Sequence, residues 1–250
     1  MITKVTSIED GVKKLIGMRG LPIPQFSLTL RQSGDYLDTL VWNEQNIPLF
    51  DMHYDPRIEY IARYGSDAAQ NSALNVYSFV GNDISLSQLI YQELDIAEYV
   101  LHSRIKTITA FVNQNAANMI VEMESGACAN IDLGNTLKPG SANQCEHRLI
   151  TTHGMANDRA VGTMTVFHQV NLFGIEDDAV AVYDDDEYYL YGLDEVQTRK
   201  TRAIHAILTG KDKLFGIWAD NDARYRAAVE AVYESDRLGK TVSLDGKERA

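Results

Sequence analysis

Residues 85–101 read SLSQLIYQELDIAEYVL, and the whole fold follows from how this stretch is read. Ser85 and Gln88 form a capping box, in which each side chain satisfies an amide that the first helical turn leaves free. Leu86, Leu89, Ile90, Leu94, Ala97, Val100 and Leu101 then recur at the spacing of one helix face. A helix with so continuous an apolar face needs a sheet to cover it. The chain supplies one in short β-rich runs at 105–112, 118–123, 127–133, 148–152, 164–173, 179–183 and 188–191. The turn signals between them include Ser125-Gly126, Pro139-Gly140 and Asp184-Asp185-Asp186. Short turns between successive strands predict antiparallel pairing, because parallel neighbours need a crossover.

Upstream, Ser7 and Asp10 open a helix through Val12, Leu15 and Ile16, which Leu21-Pro22-Ile23-Pro24 ends. Runs at 26–31 and 36–42 around Ser33-Gly34-Asp35 predict a hairpin, and 58–64 a short helix. The small, polar stretch from Gly65 to Asn75 predicts a boundary, giving a short α/β segment at 1–75 and the main domain at 76–250. Downstream, Asp194 and Gln197 start a helix that stops at Gly210. A last helix is predicted over 222–238 with Gly239 as its cap, and Val242 and Leu244 close the sheet as an edge strand. The predicted fold class is α+β: an open, mostly antiparallel sheet covered on one face by helices.

The composition fits an acidic globular protein. There are 23 Lys+Arg against 35 Asp+Glu, a formal net charge of −12, which argues against nucleic-acid or anionic-membrane partners. Two cysteines, Cys128 and Cys145, are too few for a disulfide framework, and Met1 to Lys4 begin no apolar leader. No apolar run approaches the ~20 residues that span a bilayer. A cytoplasmic location is expected.

Three stretches carry a resemblance to a known family: Glu93 to Leu101, Met119 to Ala127, and Ala228 to Val242 with its Ser235-x-x-x-Gly239-Lys240-x-Val242 tail. In order and spacing they resemble the C-terminal domain of the glucose-fructose oxidoreductase/inositol dehydrogenase (Gfo/Idh/MocA) family, over roughly residues 76–245. The resemblance implies an open sheet that shapes a sugar site and mediates oligomerisation, beside a nucleotide-binding domain. That domain's glycine fingerprint is not found here. Gly17-Met18-Arg19-Gly20 is a lone G-x-x-G after a helix, so no nicotinamide cofactor is expected. The family's Glu-Lys-Pro motif has no counterpart either, since the one Lys-Pro, Lys138-Pro139, follows a sheet strand. Where the family carries an aspartate and a histidine four residues apart, the alignment places Gln88 and Gln92. Glutamine does not exchange protons near neutral pH, so that acid/base pair is lost. What is left is a polar stripe, Gln88, Gln92, Asp95 and Tyr99, which is either a solvated helix face or a surface that faces a ligand, such as sugar hydroxyls, or another subunit.

Other candidates stand beside the stripe. Cys145, His147 and His153 offer thiolate and imidazole for a metal or a Cys-His pair, but they lack C-x-x-C or helical H-x-x-x-H spacing, and no metal is expected. Asp184-Asp185-Asp186-Glu187 reads as a solvated turn. In an extended strand, Asp51, His53 and Asp55 would share one face; the alternative is a turn before Pro56. Tyr183, Tyr188, Tyr189 and Tyr191 suit either sugar stacking or an interface. His53, His147, His153 and His168 are the remaining acid/base candidates, and no catalytic residue is assigned. The reading that joins these observations is a sugar-oxidoreductase relative without its cofactor domain. It would bind a sugar or sugar-derived small molecule through Gln88, Gln92, Asp95 and Tyr99, as a binding, scaffolding or regulatory subunit, and would form a homo- or hetero-oligomer through its open sheet. The alternative is a carbohydrate-modifying enzyme whose cofactor or catalytic groups come from a partner chain or from the histidines.

Overall fold

A computed structural model describes residues 4–31, 35–65, 72–158, 169–174, 178–182, 189–210 and 215–244. Contacts divide the chain into two compact units, Met1–Pro56 with Asp184–Asp222 and Arg57–Tyr183 with Ala223–Ala250. The predicted boundary near 75 therefore falls inside the second unit, where residues 73–75 begin a central strand.

The first unit starts with helix α1 (Ile8–Met18), capped by Ser7, whose hydroxyl accepts from the Asp10 N–H. Strands β1 (Ser27–Thr29), β2 (Thr39–Trp42) and β3 (Gln45–Pro48) form an antiparallel sheet in that order. The predicted hairpin is thus present, though its Ser33-Gly34 lies outside the described residues, and β3 adds an unforeseen third strand. A 3-10 turn follows at Asp51–Tyr54.

The second unit is built on nine strands: β4 (Ala73–Gly81), β5 (Ile105–Val112), β6 (Ala116–Met123), β7 (Cys128–Leu137), β8 (Gln144–Thr151), β9 (Gly154–Asn157), β10 (Gln169–Gly174), β11 (Asp178–Val182) and β12 (Val242–Ser243). Their order across the sheet is β11-β10-β9-β8-β4-β7-β6-β5-β12. All pairs are antiparallel except β4 with β7, which run parallel. That exception arises because the chain leaves β4 through helix α3 (Leu86–Leu101), builds the β5-β6-β7 meander, and returns to β4 from its far side. Helix α2 (Pro56–Gly65) precedes β4. In the first unit, α4 (Glu195–Leu208) has the predicted capping box of Asp194 and Gln197. Helix α5 (Phe215–Leu238) starts earlier than the predicted residue 222. Tyr189 to Tyr191 form a turn with a single bridge to Leu193 rather than a strand, while Tyr183, His168, Tyr188 and the Asp184–Glu187 turn lie outside the described residues.

Alternation along the strands separates the two sheet faces. Leu74, Val76, Ala129, Ile131, Leu133, Met119, Val121, Ile108 and Leu149 are buried on one, and α3 packs there against β4, β6 and β7. Burying each large side chain contributes about 1.5–3 kcal/mol. α3 is covered on its other side too, since twelve of its sixteen residues are buried. Tyr225 of α5 meets Tyr91 edge-on at 5.6 Å, and Ser87 bonds the Tyr233 hydroxyl at 2.9 Å. The capping box of Ser85 and Gln88 is present in full. Ser85→Ala is therefore expected to cost about 1 kcal/mol, read as a lowered urea midpoint. An unchanged midpoint would mean that packing alone holds the first turn.

The Ser235-x-x-x-Gly239-Lys240 tail has a local explanation. The buried Ser235 hydroxyl accepts from the Ala110 N–H at 3.0 Å and donates to the Lys240 carbonyl at 2.7 Å. Gly239 takes the left-handed backbone (φ 62°) that closes the helix, as glycine does most cheaply, and β12 then pairs with β5. No described helix is long and apolar enough to cross a membrane.

Candidate functional site: the two sides of strand β8

β8 turns alternate residues to opposite sides of the sheet, as a pleated strand must. Its inner residue His147 is nearly fully buried and held by two carboxylates. Nδ1 lies 2.7 Å from Asp158 Oδ2, and Nε2 lies 3.1 Å from Glu93 Oε2. Asp158 also accepts from the His147 N–H at 2.6 Å and returns its own N–H to the His147 carbonyl at 3.2 Å. Burial works against a charged imidazole, but Asp158 and Glu93 together outweigh it and raise the His147 pKa well above 6.5. An imidazolium donates from both nitrogens and so fits two carboxylate partners. Glu93 Oε1 is buried with no hydrogen-bond partner, which makes the charge on His147 still more necessary.

This arrangement disposes of the Cys-His pair. The Cys145 sulfur lies 3.5 Å from the Ser78 hydroxyl, and although the residue counts as exposed, burial of the thiol and the nearby Glu93 push its pKa up. Both nitrogens of His147 are taken, so the imidazole has no free site with which to draw off the thiol proton. His153 is exposed on the turn after β8, with its carbonyl accepting from the Tyr64 hydroxyl at 3.3 Å. Among the described residues, no group of three or more His, Cys, Asp and Glu is arranged to hold a metal.

The outer face of β8 belongs to a different environment. Two rows of in-register residues cross four or more strands. Arg148, Asn75, Asn130 and Ile120 stand side by side in one, and Glu146, Tyr77, Asp132 and Asn118 in the other. Among the described residues no helix packs on β8 from this side, and Tyr77 is 46% exposed. The rows are tied by hydrogen bonds: Asn130 donates to Asn75 at 3.2 Å, Asn118 to Asp132 at 2.5 Å, and Arg148 and Asn157 both to Glu146 Oε1. A concavity of about 650 Å³ opens here, lined by Asn75, Tyr77, Asn130, Asp132, Glu146 and Arg148 among others. Amide, carboxylate and guanidinium groups around an aromatic ring can match the donors and acceptors of a polyol and stack on its ring.

The residues expected at a site are dispersed. Gln88 is engaged in the cap, where its Oε1 accepts from the Ser85 N–H at 3.1 Å, and Gln92 and Tyr99 are half-buried. Asp95 is only 2% exposed, because α5 lies over the side of α3 that the sequence pattern leaves polar; the stripe is not a solvated face. Asp51, His53 and Asp55 sit on the 3-10 turn and beyond it, not on an extended strand. Asp51 and Asp55 face Arg199 at 3.4 and 3.8 Å, and His53 stacks on Phe50 at 5.7 Å. Burial raises the Asp51 pKa despite Arg199 and Lys200. Tyr189 and Tyr191 are exposed, and Lys138 lies on the exposed turn after β7.

Comparison with solved structures places the fold. An oxidoreductase from Agrobacterium radiobacter, solved with NAD+, L-tartaric acid and magnesium, matches with a TM-score of 0.61 at 15% identity over 96% of this chain and 71% of its own. An NAD-binding oxidoreductase from Klebsiella pneumoniae gives 0.61 at 14% identity over 78% and 65%. A levoglucosan dehydrogenase solved with NADH and L-sorbose gives 0.58 at 13% identity over 78% and 64%. The chain shares its fold with these oxidoreductases. The resemblance read from its sequence thus holds at the level of fold. The chain spans less than two thirds of the length of most of these neighbours, as the last two figures show. No protein-family model and no curated protein matches the sequence.

The sequence pattern does not single out the outer rows, because β4 carries only a weak strand signal. That signal lies in Leu74, Val76, Ser78 and Val80 alternating with Asn75, Tyr77 and Phe79.

Proposed function

We propose that this chain binds a sugar or sugar-derived polyol in the concavity on the outer face of β4, β7 and β8, acting as a carbohydrate-binding subunit related in fold to sugar oxidoreductases. The observation that carries this reading is the pair of polar rows around the exposed Tyr77. Gln88 and Gln92, standing where the family's acid/base pair is expected, support binding over redox chemistry. The same sheet face exposes Phe111, Ile120 and Ile150, which supports the expected pairing of subunits around the ligand.

A second reading rests on the neighbours crystallised with NAD+ or NADH: a dehydrogenase with a divergent nucleotide site. Calorimetric titration separates the two. Expected are millimolar or tighter affinity for neutral pyranoses, no affinity for NADH or NADPH, and at least a five-fold loss of sugar affinity in Tyr77→Ala, from the stacking contribution of an aromatic ring. Micromolar NADH affinity would restore the dehydrogenase. Sugar affinity that Gln92→Ala abolishes and Tyr77→Ala leaves intact would move the site to α3.

A further inference from the structure

We infer that the ligand of this concavity is an amine-bearing or neutral sugar, and that sugar acids and sugar phosphates are disfavoured. The inference rests on the proposed binding reading and adds the charge class of the ligand. The lining holds two carboxylates, Asp132 and Glu146, and one cation, Arg148, among the neutral groups Asn75, Tyr77, Asn130, Asn143 and Gln144.

The cation is already engaged by a carboxylate of the wall. The Arg148 guanidinium bonds Glu146 Oε1, which also accepts from Asn157 Nδ2 at 3.2 Å. Glu146 is only 8% exposed, while the Arg148 side chain keeps 42% exposure, so the pair adds no net charge to the lining. Asp132 differs. It is exposed and accepts from Asn118 Nδ2, and no cation pairs with it among the described residues. Its charge is thus the uncompensated one in the concavity. A second acidic contribution comes from the chain as a whole, whose formal charge is −12.

Two unit charges about 4 Å apart in water interact by about 1 kcal/mol, or roughly five-fold in affinity. An ammonium beside Asp132 gains that factor, and a carboxylate or phosphate on the same ring loses it. Glucosamine, glucose, glucuronate and glucose phosphate share one ring and differ in charge, so they probe this directly.

The test is calorimetric titration of the full chain with each of the four, at a pH where the amine is protonated, in low and in high salt. The expected order is glucosamine tighter than glucose by about five-fold and glucuronate weaker by a similar factor, with both ratios shrinking in high salt. Asp132→Asn is expected to bring the glucosamine-to-glucose ratio near one. Glu146→Gln, which frees Arg148, is expected to strengthen glucuronate relative to glucose; circular dichroism confirms that both variants fold. Glucuronate or glucose phosphate binding as tightly as glucose overturns the charge assignment and leaves the sugar-binding reading standing. If none of the four sugars binds, the binding reading itself is refuted, and the charge assignment with it.

Discussion

His147→Ala is expected to lower the stability of the sheet-bearing unit by about 3–5 kcal/mol, the usual consequence of removing one partner from a buried ionic group. Glu93 is fully buried, and the Asp158 side chain is 6% exposed. Without the imidazolium, two buried carboxylates are left without the cation they share. The wild-type protein should show the same dependence through pH. The folded-state pKa of His147 lies well above 6.5, so its contribution is complete below about pH 6.5, the unfolded value. It is lost as pH rises through the folded value. Urea midpoints followed by circular dichroism at pH 6 and pH 9 are expected to fall with rising pH in the wild type, and much less in the alanine variant. A variant with an unaltered midpoint would show that the two carboxylates do not depend on His147.

The second large effect is expected at Arg224. Its guanidinium reaches Glu98, and both side chains are largely buried, at 13% and 7% exposure. Burial raises the Glu98 pKa even so, with Arg224 and the Ile105 N–H, which donates to Oε1 at 2.7 Å, acting to lower it. Arg224→Met would leave the carboxylate buried and unpaired, at a cost of about 3 kcal/mol or more. Adding Glu98→Gln keeps an acceptor for Ile105 and removes the charge. The double variant is therefore expected to be more stable than Arg224→Met alone, by denaturant titration. A double variant weaker than the single one would assign the loss to packing against Tyr225, whose ring centroid lies 5.2 Å from the guanidinium.

These two clusters mark the limit of what the sequence alone conveys. The capping boxes at Ser85 and Asp194, the β5-β6-β7 meander and the Ser235 tail are local, and local patterns announce them. β4 is harder to read, because Ser78 interrupts its buried series and two aromatics occupy its other one, which blurs the contrast a strand normally shows. By periodicity Asp95 falls on the polar, outward side, but a helix sandwiched between a sheet and a second helix has no outward face at its centre. Glu93, His147 and Asp158 are 54 and 11 residues apart, and strand register with helix rotation brings them together. No spacing rule encodes that meeting.

The parallel pairing of β4 with β7 also bears on how quickly the molecule assembles. β5, β6 and β7 meet their partners across tight turns, so little chain entropy is lost in joining them. β4, by contrast, is separated from β7 by α3 and the first two strands of the meander, and from its other neighbour, β8, by still more chain. Residues 73 and 128, and 73 and 150, are matched across these long intervals. Contacts so distant along the chain slow the search for the native state. Joining this one central strand is therefore expected to be slower than closing the meander, and a chain in which it is not yet joined would expose the edge of β7 to pairing with another chain.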